Sequence, residues 1–205
     1  MKTGPRYKIA RRLGANVFEK TQSQKFALRS QNKTASPLGK GKRKTRSDFG
    51  MQLIEKQKAR VTYGIGERQF KNYIKKVLVK KGANINEVLV QTLESRLDNV
   101  IYRLGFAKTR QASRQMVNHG HFNINGKRET IPSLQVKVGD VITIRERSKT
   151  KPIFKDLDEK LKEARVPSWL ALDLVKKEGK VQGAPKINPA ELSFDVSVIF
   201  QFYGR

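Results

Sequence analysis

Glu94-Ser95-Arg96-Leu97-Asp98-Asn99-Val100-Ile101-Tyr102-Arg103-Leu104-Gly105, followed at 109–121 by Thr-Arg-Gln-Ala-Ser-Arg-Gln-Met-Val-Asn-His-Gly-His and at 122–127 by Phe-Asn-Ile-Asn-Gly-Lys, is the stretch whose reading decides the fold. Its hydrophobic period changes from helix-like to strand-like along the chain. Leu97, Val100, Ile101 and Leu104 share a helical face that stops at Gly105. Thr109 is placed to cap a short helix through Asn118, which His119-Gly120 closes. On a wheel of about 100° per residue this helix divides cleanly. Ala112, Ser113, Met116 and Val117 fall on one side, and Arg110, Gln111, Arg114, Gln115 and Asn118 on the other. Residues 121–124 and 127–130 flank Asn125-Gly126, a dipeptide that tolerates positive φ at both positions and so favours a type I′ hairpin. Gly139-Asp140 makes a second turn before a strand at 141–145.

Outward from this module the chain is helical on the N-terminal side. Asn84, with Glu87 three residues on, has the pattern of a capping box, and one helix is predicted from there to about Leu104. Phe70, Ile74, Val77 and Leu78 put another helix over 67–81, with Gly82 as its stop. Ser47 is a plausible cap for a helix over 48–60 that carries Met51, Ile54 and Lys58 on one side and ends before Tyr63-Gly64-Ile65-Gly66. Residues 1–46 mix Gly, Pro, Ser, Lys and Arg with little periodicity, and are expected to be an arm that orders only against a partner. Beyond the module, 153–165 is charged and helical in pattern. Pro167-Ser168-Trp169-Leu170 opens a last segment containing Gly179, Gly183, Pro185 and Pro189. Val196, Val198, Phe200 and Phe202 alternate, which predicts a terminal strand over 194–203. No internal repeat is present. The expected fold class is α+β: a basic arm (1–46), a mainly helical domain (47–93, completed by 158–205), and an inserted small α/β module of two helices, a hairpin and a further strand (94–157).

Charge narrows the function. The 205 residues hold 44 Lys and Arg against 18 acids, a formal net charge of +26. Residues 1–60 carry 17 basic and 3 acidic residues, a net of +14 and over half the excess. A polyanion would relieve the self-repulsion of such a chain, and each neutralised phosphate releases condensed counterions. No apolar run is long enough to span a bilayer, and the N-terminus lacks the apolar core of a secretory signal, so neither membrane nor secretion is expected. The absence of cysteine excludes disulfides, thiolate zinc sites and cysteine nucleophiles. His119 and His121 alone are weak evidence for a metal, and no cofactor motif is present. Guanidinium forks at Arg110 and Arg114, one helical turn apart, match phosphate oxygens, and His119, His121, Asn125 and Lys127 follow in the adjoining hairpin. Such a face can read the shape and backbone of folded RNA.

At these residues the chain resembles a known family. The run 96–107, Thr109-Arg110, Arg114-Gln115-Met116-Val117, His119-Gly120-His121-Phe122, Asn125-Gly126-Lys127, Ile131-Pro132-Ser133 and Gly139-Asp140 resemble the RNA-binding module named after the fourth protein of the small ribosomal subunit. Arg46-Ser47-Asp48-Phe49-Gly50-Met51-Gln52-Leu53, 55–60, Tyr63-Gly64-Ile65 and Glu67-Arg68-Gln69-Phe70 are similar to that protein's helical domain. Val166-Pro167-Ser168-Trp169-Leu170 and Phe202-Tyr203-Gly204-Arg205 are similar to its C-terminal end. The resemblance covers nearly the whole chain and is to the bacterial type. It implies a structural constituent of the small subunit, not an enzyme, that binds small-subunit (16S) ribosomal RNA as a primary binder and nucleates assembly of the subunit body. It also implies contact with the fifth small-subunit protein, a place near messenger RNA where it enters the subunit, an influence on translational accuracy, and a cytoplasmic or organellar ribosome. No homo-oligomer is expected. The ribosomal-RNA contacts expected on this basis are Arg6, Arg11, Arg12, Arg43, Lys44, Arg46, Arg60, Tyr63, Arg68, Lys71, Thr109, Arg110, Arg114, His119, His121, Asn125 and Lys127. Phe200, Phe202 and Tyr203 are the expected protein contacts.

Two rivals share the module. Arg96-Leu97-Asp98 superficially resembles the catalytic triplet of RNA pseudouridine synthases, but no catalytic domain follows, and Asp98 is expected to be structural, pairing with a nearby Arg. A stand-alone RNA chaperone or rescue factor would not match over the full length. The chain departs from the family in three places. Tyr7 and Ala10 occupy the positions of a zinc-binding Cys-x-x-Cys pair, whose second pair aligns near 24–28. Leu134 stands where Tyr is usual, and 183–188 is less basic. The chain therefore reads as a zinc-free form. Elemental analysis of the purified protein is expected to find no tightly held zinc, and a chelator should leave RNA affinity unchanged; one zinc per chain would refute this.

Overall fold

A computed structural model describes residues 4–35, 47–80, 84–186 and 191–204. Among these the chain runs α1 (Arg6–Leu13), α2 (Gln24–Ala35), α3 (Asp48–Thr62), α4 (Glu67–Leu78), α5 (Ile85–Glu94), α6 (Leu97–Arg103), α7 (Arg110–Asn118), β1 (Phe122–Ile124), β2 (Lys127–Glu129), β3 (Val141–Ile144), α8 (Glu146–Lys149), α9 (Leu157–Lys162), β4 (Leu170–Asp173), β5 (Glu178–Val181) and α10 (Val196–Tyr203). The architecture is α+β. It divides into two units, Met1–Gly82 with Ile187–Arg205, and Ala83–Lys186.

In the first unit α3 is the central support. Ser47 caps it by accepting from the Gly50 N–H at 3.3 Å. Of the arm expected over 1–46 to order only against a partner, the described part forms α1 and α2 and packs on α3. Ala10, Leu13, Val17 and Phe18 close a small apolar cluster with Val61 of α3, flanked by Ile9, Ala15, Phe26 and Ile54. The apolar residues of this segment are too sparse to make a core alone, but enough to complete one on α3. Arg43, Lys44 and Arg46 lie outside the described residues.

The C-terminal strand is also corrected: 196–203 is helix α10. Asp195 caps it, its carboxylate accepting from the Ser197 and Val198 N–H groups at 2.8 and 3.4 Å. Val196, Ile199 and Phe200 are its buried positions, a spacing of three and four. The alternation of Val196, Val198, Phe200 and Phe202 is therefore coincidental, because Ile199 fills a helical face that a period of two ignores.

In the second unit the single predicted helix over 84–104 is two. α5 ends at Glu94 and α6 begins at Leu97. The break is made by tertiary hydrogen bonds: the N–H groups of Leu97 and Asp98 donate to the carbonyls of Leu134 and Pro132 at 2.8 and 3.1 Å. Arg96 bridges Gln135 as an isolated β-pair. Apolar periodicity runs through the corner because each helix buries its own apolar residues, Leu89, Val90 and Leu93 on α5 and Leu97, Val100 and Ile101 on α6, of which the latter belong to the core under the sheet. That core gathers Leu97, Val100, Ile101 and Leu104 with Met116, Val117, Phe122, Ile142, Ile144, Trp169 and Val181.

The sheet is antiparallel throughout, in the order β2-β1-β3-β5-β4. Asn125 and Gly126 sit at φ 48° and 80°, and Ile124 pairs with Lys127, as the hairpin reading requires. β4 and β5 were not legible in the sequence. β5 pairs with β3, placing Gly179 opposite Ile142. A Cβ at Gly179 would overlap the Leu104 methyls, so the glycine lets the sheet lie flush on α6. The compact unit that holds this sheet spans 83–186; the module was expected over 94–157. Replacing Asp195 by Ala should remove the cap of α10 and cost about 1 kcal/mol of stability. Urea unfolding checks it, and an unchanged midpoint would show that α10 does not depend on its cap.

Candidate nucleic-acid interface

The polar side of α7 is built from its cap upward. Thr109 is the N-cap, its hydroxyl accepting from the Ala112 N–H at 3.1 Å, so it serves the helix. Ser113, Met116 and Val117 are buried, and the Ser113 hydroxyl donates to the Asp98 carbonyl at 2.6 Å. That anchors the apolar side and turns Arg110, Gln111, Arg114, Gln115 and Asn118 outward, half-buried or exposed. Arg110 is held in place: its Nε–H donates to Asn99 Oδ1 at 2.8 Å, and its guanidinium carbon lies 4.4 Å from the centre of the Tyr102 ring. Asn99 is only 2% exposed. Its amide nitrogen donates to the Glu94 carbonyl at 3.1 Å and to Glu94 Oε2 at 2.7 Å. Glu94, 0% exposed, also receives a two-pronged bond from Arg103, at 3.0 Å to each oxygen. Sequence reading missed this network. No periodicity marks it: Asn99 lies on the side of α6 away from Leu97, Val100 and Ile101, and only its burial reveals its part in the network.

Of the remaining expected contacts in this unit, His119 and Lys127 are exposed. Asn125 is exposed but occupied: its amide donates to Asp140 Oδ1 and its oxygen accepts from the Val141 N–H, both at 2.9 Å, tying the hairpin to β3. His121 is corrected as a surface contact. It is 5% exposed, its Nδ1 lies 3.0 Å from the Ser148 hydroxyl, and its ring stands edge to face with Phe154. Burial holds it below the ordinary imidazole value, and the charges of Lys151, His119, Arg128 and Arg145 lower it further. The Arg96 and Asp98 pairing is as expected: Nε to Oδ1 at 3.0 Å and Nη2 to Oδ2 at 2.6 Å, both side chains buried. A carboxylate sealed in this way is structural.

In the first unit Arg11, Arg12, Arg68 and Lys71 are exposed and Arg6 is half-buried. Tyr63 is corrected: it is 4% exposed and packs edge-on against Phe194, so it is core. Arg60 is committed internally. Glu67 gathers Lys56 Nζ at 2.9 Å, Arg60 Nη1 at 2.8 Å and the Tyr203 hydroxyl at 2.9 Å. Burial alone would raise the Glu67 carboxyl, but the Lys56 and Tyr203 hydrogen bonds and the cationic neighbours hold it below its ordinary value. Burial and the Glu67 bond push the Tyr203 hydroxyl well up. Phe200 is corrected as a partner contact, being buried within the unit. Phe202 is half-buried, stacked on Phe49 at 5.4 Å with Lys56 Nζ 4.3 Å from its ring centre.

Two family models match the sequence: the ribosomal protein S4/S9 N-terminal domain over residues 1–94 and the S4 domain over 95–142. Relatives named small ribosomal subunit protein uS4 align end to end. That of Chloroflexus aurantiacus is 42% identical, covering 98% of this chain and 98% of its own. That of Herpetosiphon aurantiacus is 42% identical over 99% and 98%, and that of Sulfurihydrogenibium sp. 43% identical over 98% and 97%. The chain belongs to the uS4 family of ribosomal proteins. This is a family of structural proteins, not of enzymes. The S4 domain match contains α6, α7 and the β1–β2 hairpin.

A zinc ion of the kind the resemblance brings does not fit the residues of this chain. Tyr7 lies against Phe26, ring centres 5.5 Å apart, and Ala10 is 1% exposed inside the apolar cluster. An aromatic contact and a methyl stand where thiolates would be needed.

His121 makes stability depend on pH. Its folded value lies below the unfolded value of 6.5, so the unfolded chain takes up the proton first. The stabilisation is complete above that value and is lost as pH falls from it toward the folded value. Urea midpoints at pH 7.5 and 5.5 should therefore differ more for the native chain than for His121→Asn; equal differences would remove His121 as the cause.

Proposed function

We propose that this protein is a constituent of the small ribosomal subunit that binds small-subunit (16S) ribosomal RNA directly, as a primary binder that nucleates assembly of the subunit body. The observation that carries the reading is the outward side of α7, where Arg110 and Arg114 stand one turn apart on a helix locked from behind by Ser113, in a chain of net charge +26. The end-to-end likeness to proteins named as small-subunit constituents supports it. Arg6, Arg11, Arg12, Arg68 and Lys71 would add backbone contacts from the first unit, and His119 and Lys127 from the second. A primary binder needs this division: a helix face of fixed geometry for register, and scattered cations for affinity.

The family resemblance carries the finer assignments. The protein contacts the fifth small-subunit protein, lies near messenger RNA where it enters the subunit, works in the cytoplasm and influences translational accuracy. With Phe200 inside, the side chains of α10 offered to a protein neighbour are the half-buried Phe202 and Tyr203, beside exposed Phe49. No helix among the described residues is long and apolar enough to cross a membrane.

Replacing both Arg110 and Arg114 by Gln should weaken binding to a transcript of small-subunit ribosomal RNA. Gln keeps good helix propensity, so the module should remain folded by circular dichroism. If each Arg neutralises one phosphate, the slope of log affinity against log salt should fall by about 1.5. Asn118→Ala, on the same side and without a charge change, should leave the slope intact. Co-sedimentation with small subunits at moderate salt should show one copy per subunit. An unchanged slope in the folded double variant would remove α7 as the RNA-facing surface.

A further inference from the structure

We infer that Asn99 is a positioning residue for RNA binding: although itself buried, it sets the guanidinium of Arg110 in the orientation in which that side chain meets a phosphate. The inference rests on the RNA-binding reading of α7. It starts from the chemistry of the amide. The two ends of an Asn side chain are often ambiguous, and the hydrogen-bond partners decide between them. Here the partners leave no choice. One end faces two acceptors, the Glu94 carbonyl at 3.1 Å and Glu94 Oε2 at 2.7 Å, so it is the NH2 end. The other must then be the oxygen, and it accepts from Arg110 Nε–H at 2.8 Å.

Glu94 cannot rotate to release the amide. Its side chain is 0% exposed, and Arg103 grips both of its oxygens at 3.0 Å. The orientation thus passes from Arg103 at the end of α6 to Glu94 at the end of α5, back to Asn99 of α6, and on to Arg110, the first residue of α7. Tyr102 supplies the second constraint. Its ring centre lies 4.4 Å from the Arg110 guanidinium carbon, so one face of the plane is covered while Nε is tied at one edge. A long, flexible side chain held by a face and an edge has surrendered its rotamer freedom before RNA arrives, and that loss no longer opposes binding. Lysine could supply the charge at this position but neither the Nε–H nor the planar face.

The test is a double-mutant cycle on the full chain, titrating a transcript of small-subunit ribosomal RNA at several salt concentrations. Arg110→Gln should weaken binding and lower the salt slope. Asn99→Ala should weaken it about five- to tenfold, the weight of one typical net hydrogen bond. Combining the two should be no worse than Arg110→Gln alone. Independent, multiplying losses would overturn the inference while leaving the RNA-binding reading intact. No effect of Arg110→Gln on affinity or slope would overturn both. Removing a buried amide can unfold the module, so Arg110→Lys is the second arm. It keeps the charge at a half-buried position, and should retain the native salt slope yet bind several-fold more weakly. Native affinity in Arg110→Lys would show that charge alone matters there and would also overturn the inference.

Discussion

The corner between α5 and α6 is the constraint on which the second unit depends. Arg96 sits at that corner with 0% exposure, and a guanidinium cannot stay buried without compensation. Asp98, two residues on, meets it with both carboxylate oxygens. Removing either partner would strand a buried charge, at a cost of roughly 3–5 kcal/mol. The pair fixes the start of α6, and with it the Asp98 carbonyl that receives the Ser113 hydroxyl of α7. The same corner sends the N–H groups of Leu97 and Asp98 to the loop behind the hairpin. One ion pair therefore indexes α6, α7 and the hairpin to each other. A triplet that superficially resembles a catalytic motif in sequence is the keystone of the packing instead.

Charge poses the second problem. A chain with 44 basic and 18 acidic residues needs its few acids in the right places. Glu67 gathers Lys56, Arg60 and Tyr203 in the first unit, and Glu94 gathers Arg103 and Asn99 in the second. Each acid is used several times over. Cations so engaged do not join the electrostatic surface offered to a polyanion. This is why Arg60, attractive as a sequence-level contact, is mainly a structural residue. Arg11, Arg12, Arg68 and Lys71, on exposed helix faces, are better placed to meet phosphates.

What could be read from the sequence follows from how local each determinant is. The α6–α7–hairpin order was legible because a cap at Thr109, a face at Met116 and Val117, and the positive-φ pair Asn125-Gly126 each act within a few residues. The break at Ser95-Arg96 was hidden, because its cause is the loop at 132–134, far along the chain. β4 and β5 were hidden for the same reason: Gly179 reads as a turn residue until Leu104 is known to lie against it. The terminal strand was misread because four alternating apolar residues satisfy a period of two, while Ile199 and the cap at Asp195 decide for a helix. At the candidate interface the wheel placed Arg110 and Arg114 correctly, but a wheel has no depth. Nor does any wheel reach His121 and Tyr63, which lie just beyond the ends of α7 and α3 and face inward.

The N-terminal segment shows how a fold can do without a metal. A thiolate site would hold two short segments together by four strong bonds and needs almost no apolar surface. Here the same joining falls to Ala10, Leu13, Val17, Phe18 and the Tyr7–Phe26 contact, all weak and additive. Such a cluster is too small to close on itself, since a segment of this size buries little of what its unfolded chain exposes. It must borrow a wall, and Val61 and Ile54 of α3 supply it. α3 in turn carries Lys56 and Arg60, which meet Glu67 and, through it, Tyr203 of α10. In this chain the two ends of the sequence are thus secured to one helix, α1 by apolar packing and α10 through a shared carboxylate, and stability that a metal would have kept local is spread over the whole unit.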